Sequence, residues 1–177
     1  MTAKWTDFVS GAVLTAAQLN DVLDNFQDMA IFNETQANNT AGGTFTSGAW
    51  QKRTLNTTVV NNITGCSISS SVITLPAGTF FLRADCPAHY VNSHKAKLRN
   101  TTDSTDTQIG VNCYSGQTTG SSVLTNAVVE AYFTITATKN FEIQHYCKTT
   151  RATDGYGGQS NFSVSEVYTT VRIVRVA

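Results

Sequence analysis

Charge is scarce in this chain of 177 residues: 14% of positions are Asp, Glu, Lys or Arg, and the 12 cations balance the 12 anions. A nucleic-acid face needs a concentration of Lys and Arg, and none stands out, so no nucleic-acid partner is expected. Apolar runs are short. None approaches the ~20 residues of a membrane helix. The stretch 8–17 is broken by Ser10 and Gly11 and follows Asp7, which does not suit a signal peptide, so no membrane insertion is expected. The four cysteines, Cys66, Cys86, Cys113 and Cys147, form no Cys-x-x-Cys pair, which leaves zinc without a ligand pattern. They are expected to be reduced, buried, small hydrophobes rather than disulfides.

Catalytic patterns are missing as well. His89, His94 and His145 show no metal-ligand spacing, and neither Gly-x-Ser-x-Gly nor a phosphate loop occurs. Cys147 follows His145 by two residues and would share its strand face, but no third group is at hand to orient such a pair. Asp103 and Asp106 share a loop, yet calcium needs six or more oxygens, so they read as solvated turn acids. A glycan depolymerase would need two carboxylates facing across a groove, and the acids here are sparse and scattered. The expectation is therefore a non-enzyme, with no catalytic residue, no metal and no cofactor.

One helix signal is present. Thr15 stands at an N-cap position with Gln18 three residues on, a capping box, and Leu14 and Leu19 have the spacing of a hydrophobic staple. Leu19, Val22, Leu23, Phe26 and Met29 recur at steps of three and four, so a helix is expected over 15–30 with an apolar stripe. Isolated helices below ~12–15 residues are marginal in water, so this one needs cover from its own copies, the rest of the chain or a partner. Trp5 and Phe8, ahead of it, are apolar residues with no domain of their own. The segment 1–32 is accordingly read as an attachment or trimerisation unit. The Asn/Gly-rich stretch 33–43 is read as a linker.

From residue 44 to 177 the period falls to two. Phe80, Leu82, Ala84 and Cys86 alternate, as do Val129, Ala131, Phe133 and Ile135, and the segment 141–147. Pro76-Ala77-Gly78 reads as a turn, Pro87 as a strand end or edge, and 56–62 as a connecting loop. The last strand carries apolar residues on both faces, which suits a central strand or a subunit contact. Nine or ten short strands with polar turns argue an all-β antiparallel sandwich or barrel. In the long loop 149–160, Tyr156 lies between glycines. With Arg151 and Asp154 it forms a candidate ligand loop.

Two resemblances add to this. The run Ile73-Thr74-Leu75-Pro76-Ala77-Gly78-Thr79-Phe80-Phe81-Leu82 resembles a strand–turn–strand element of complement-type globular heads and tumour-necrosis-factor-like jelly rolls. It implies an antiparallel jelly-roll sandwich over 44–177, assembled as a homotrimer with aromatics along its axis. Leu14-Thr15-Ala16-Ala17-Gln18-Leu19-Asn20-Asp21 resembles the attachment segments of tailed-bacteriophage virion proteins. Together they imply a structural protein of a virion, assembled in the host cytoplasm, anchored by its N-terminal segment to other tail or capsid proteins. Two jobs compete. A tail-fibre head would bind a host surface glycan or protein. A capsid decoration trimer would grip the shell through Trp5, Phe8 and the helix.

Overall fold

The computed structural model describes residues 11, 13, 15, 16, 28–116 and 123–176. Every regular element described in it is a strand: β1 (Met29–Gln36), β2 (Gln51–Lys52), β3 (Thr57–Asn61), β4 (Ser67–Ser69), β5 (Val72–Leu75), β6 (Gly78–His89), β7 (Asn92–Asn100), β8 (Thr105–Ile109), β9 (Cys113–Ser115), β10 (Leu124–Ile135), β11 (Lys139–Cys147) and β12 (Glu166–Arg175). They pair antiparallel into two sheets. One runs β10-β6-β12-β1-β3. The other runs β4-β5-β11-β7-β8, with β2 added to β11 and β9 to β7.

Alternation builds the core between the sheets. Phe80, Leu82 and Ala84 of β6, Val171 and Ile173 of β12, and Phe32 of β1 point inward and are fully buried. Ile73, Leu75, Leu98, Phe141 and Ile143 meet them from the opposite sheet. Burying such side chains is worth roughly 1.5–3 kcal/mol each. β12 lies between β6 and β1, which is why a strand apolar on both faces sits there.

The N-terminal boundary departs from the sequence reading. Most of the expected helix 15–30 lies outside the described residues, with Trp5, Phe8, Leu14, Leu19, Val22, Leu23 and Phe26. Its last two positions do not continue a helix: Met29 and Ala30 open β1, pairing with Val174 and Ile173. The first four residues of the expected linker 33–43 complete that strand. The sandwich body therefore begins at residue 29 rather than 44. The physical reason is a second period hidden under the first. Ala30, Phe32 and Glu34 alternate inward at period two, while Met29 also falls on the helical stripe. The segment 56–62, expected as a loop, is the edge strand β3, paired with β1. Its Thr-Thr-Val-Val run is β-branched, but its mostly exposed side chains hide the alternation.

β6 also runs through Pro87 to His89. Its ladder to β12 reaches only Asp85, so the missing N–H of Pro87 leaves no ladder bond unmade on that side.

Candidate functional site

At one end the sandwich is held by a buried polar bridge. Arg53, just after β2, is almost fully buried and crosses to the five-stranded sheet. Its Nη2 donates to Glu34 Oε2 at 2.6 Å, its Nε to Thr169 Oγ1 at 2.6 Å and its Nη1 to the Pro87 carbonyl at 3.3 Å. Thr169 Oγ1 donates to Glu34 Oε2 at 3.0 Å. One guanidinium thus ties β1, β12 and β6 to the opposite sheet. A buried pair this well bonded offsets its desolvation, whereas either charge alone would be costly.

Aromatic rings and histidines close around that bridge. The Arg53 guanidinium lies 4.1 Å from the Tyr156 ring centroid, and Tyr156 stacks on Phe45 at 4.4 Å. His145 sits 4.7 Å from Phe45 and 5.1 Å from His94, centroid to centroid. Thr125 Oγ1 donates to the Tyr114 carbonyl, so it accepts from His94 Nε2 at 2.8 Å. His94 Nδ1 is then an acceptor, and His145 Nε2–H donates to it at 3.0 Å. His145 Nδ1 is left as a buried lone pair without a partner. Both imidazoles are held neutral: burial, with the Arg53 charge adding to it, pushes His94 down to about 4 and His145 well below its ordinary value. Burial likewise pushes the Cys147 thiol up to about 11, so the His145–Cys147 neighbours carry no thiolate.

The loop 149–160 is closed onto this end by the bridges Phe45↔Arg151 and Gly43↔Asp154. Arg151 donates to Asp154 through Nε at 2.6 Å and Nη2 at 3.1 Å, and Asp154 also meets His89 Nδ1 at 3.1 Å. The Arg151 hydrogen bonds hold the Asp154 carboxyl below its ordinary value. Gly157, at φ +143°, lies where a Cβ would enter the Tyr168 ring, so no other residue fits. The structure therefore brings Arg151, Asp154 and Tyr156 together, with Arg151 paired to Asp154 and Tyr156 packed between Phe45 and Arg53. Of the residues expected to anchor or oligomerise the chain, Met29 alone lies among those described, in β1.

A second feature was missed by sequence reasoning. On the outer face of the seven-stranded sheet a groove of about 880 Å³ is lined by Trp50, Ser93, Lys95, Asn112, Tyr114, Tyr146 and Lys148, among others. Trp50 and Tyr146 meet edge to face at 5.6 Å. Lys97 Nζ lies 4.3 Å from the Trp50 ring centroid and is pinned by Asp106 at 2.9 Å. Outward aromatics in strands that otherwise alternate were the available signal. Their convergence depends on pairings of β2 and β9 that the sequence does not display.

The outer face of the five-stranded sheet is different. Its register aligns Tyr132, Phe81, Val174 and Met29 in one row, the first three exposed. Beside that row Arg83 bonds Glu130 and Asp85, and Arg172 bonds Asp85, so the neighbouring charges cancel among themselves.

No family model matches the chain, and no curated protein does. Among solved structures, murine APRIL in its pH 8.0 crystal form superposes with a TM-score of 0.50 at 8% identity, across 84% of this chain and 99% of that one. The globular domain of a zebrafish complement 1qA protein gives 0.48 at 11% identity, across 84% and 95%. At this identity the likeness concerns fold alone: the body is an antiparallel β-sandwich whose fold is similar to the jelly roll of APRIL.

Proposed function

We propose that this chain is a non-enzymatic binding head that works as a homotrimer, displayed on a virion through its N-terminal segment, and that its task is attachment to a host surface. The observation that carries the assembly is the row Tyr132–Phe81–Val174–Met29. Three exposed apolar side chains in register across one sheet, flanked by self-neutralised charge, suit burial against a second copy. A non-enzymatic role is supported by how the buried polar groups are spent. Glu34 and Arg53 bond each other, His94 and His145 are neutral, and the Cys86 thiol is pushed up to about 12 by burial. The virion setting rests on the resemblance of residues 14–21 to phage attachment segments. The groove on the seven-stranded sheet favours attachment over capsid decoration, because a cement protein needs no lined recess facing away from its contacts.

Two measurements test this. Light scattering on the purified protein is expected to give about three times the 19.1 kDa chain mass. Labelling the protein in intact particles and imaging them by electron microscopy is expected to place it at the tail. Density spread over the shell would instead support decoration, and absence from particles would end the virion reading.

A further inference from the structure

The groove beside Trp50 contains cations that no carboxylate among the described residues neutralises. Lys52, Lys97, Arg99 and Lys139 of the same sheet are each paired with a carboxylate. Lys95 and Lys148, which line the groove, have no such partner among the described residues, and no Asp or Glu lines it. Two uncompensated ammonium groups about a recess with aromatic walls raise the local concentration of anions. They do so against a chain that is neutral as a whole.

The aromatic part is built in advance. Lys97 lies against the Trp50 indole from within the sheet, and its own charge is met by Asp106, so the ring is held before anything binds. Tyr146 stands at 63° to it, and Tyr114 is fixed by a hydrogen bond from its hydroxyl to Asn92 Oδ1 at 3.2 Å. Faces of rings set at an angle are suited to the C–H face of a sugar, which gains dispersion contact there without losing its equatorial hydroxyls to a dry pocket. Ser93 and Asn112 supply donors and acceptors at the rim. A volume of about 880 Å³ is within the ~300–1,000 Å³ of small-ligand sites.

We propose that this groove is a carbohydrate site and that its occupant is acidic: a short chain containing a carboxylate-bearing sugar, stacked on Trp50 and Tyr146 with its carboxylate between Lys95 and Lys148. The inference deepens the reading of the body as an attachment head and rests on it. The groove lies on the sheet opposite the apolar row, so the site stays open when copies meet through that row.

The test uses the full chain on a panel of immobilised uronate- and sialate-bearing oligosaccharides, each with its neutral counterpart. Hits are followed by tryptophan fluorescence titration at low and at physiological salt. Binding of acidic members at least tenfold tighter than their neutral counterparts is expected, weakening as salt rises. Trp50→Ala is expected to abolish it. Lys95→Gln with Lys148→Gln is expected to erase the preference for acid while the melting temperature holds. Binding to no acidic member, equal binding of the neutral sugars, or unchanged binding by Trp50→Ala would overturn the proposal. Mass measured on the same sample separates the two readings. A trimer that binds no sugar sinks the groove alone, and a sugar-binding monomer sinks the trimer alone.

Discussion

The outer faces of the two sheets are made from the same strand alternation and come out opposite in character. On the five-stranded sheet, outward positions present Tyr132, Phe81 and Val174, and the charges beside them, Arg83, Glu130, Asp85 and Arg172, are tied to one another. On the seven-stranded sheet, outward positions present aromatics set around a recess, with two lysines that have no carboxylate partner among the described residues. A face that has already neutralised its own charge loses little when water leaves it. A face that keeps free charge is stable only while water or an anion stays with it. In the proposed reading, this contrast is why the first face meets further copies and the second a ligand.

The comparison is most severely broken by making the first face resemble the second. Phe81→Asp with Val174→Asp places two carboxylates in the apolar row. Assembly is expected to weaken at least a thousandfold, about 4 kcal/mol, as read by sedimentation equilibrium. Both side chains are exposed in the protomer, so its melting temperature is expected to change little. Unchanged assembly would show that the row is not the contact.

Next in size is the tie between the sheets. Arg53→Met leaves Glu34 buried without its cation and is expected to cost about 3–5 kcal/mol in denaturant unfolding. Stability unchanged within the error of the experiment would mean that the bridge is dispensable.

Acid acts on the same region. His94 titrates near 6.5 when unfolded and near 4 when folded, so the unfolded chain binds more protons between those values. Stability is therefore full above about pH 6.5, declines as pH falls, and by pH 4 has lost roughly 3 kcal/mol through this residue. Glu166 acts in a lower window that overlaps only the acid end of that range. The N–H groups of Ser160 and Asn161 hold it down to about 2, so its contribution is present above the ordinary glutamate value and is lost as pH drops toward 2. A stability curve flat from pH 6.5 to 5 would contradict the neutral histidine pair.

The smallest effect expected is at Lys97. Lys97→Met removes the ammonium held against Trp50 and an ion pair that is half solvated at Asp106. It is expected to cost less than ~1 kcal/mol in stability while broadening Trp50 fluorescence.

Much of the body was legible because alternation is a local signal. Phe80, Leu82, Ala84 and Cys86 declare their burial within one strand, and the apolar residues on both faces of β12 declare its central position. What stayed hidden depends on distance. Met29 satisfies two periods at once, the polar residues after Phe32 hide the alternation, and only pairing with β12 selects the strand. Arg53 reads as one of 12 cations, and nothing near it in sequence announces Glu34 or Thr169. The candidate loop was legible as a loop, since Gly155, Gly157 and Gly158 mark it, but the stacking of Tyr156 on Phe45 spans more than a hundred residues. Trp50, Tyr114 and Tyr146 come from three separate strand neighbourhoods, so no window of sequence holds the groove.

The two-face account is tested most directly by hydroxyl-radical footprinting of the native protein across a concentration series. As copies assemble, oxidation of Tyr132 and Phe81 is expected to fall several-fold while Trp50 and Tyr146 react as before. Protection of Trp50 and Tyr146 with Tyr132 and Phe81 still reactive would contradict it.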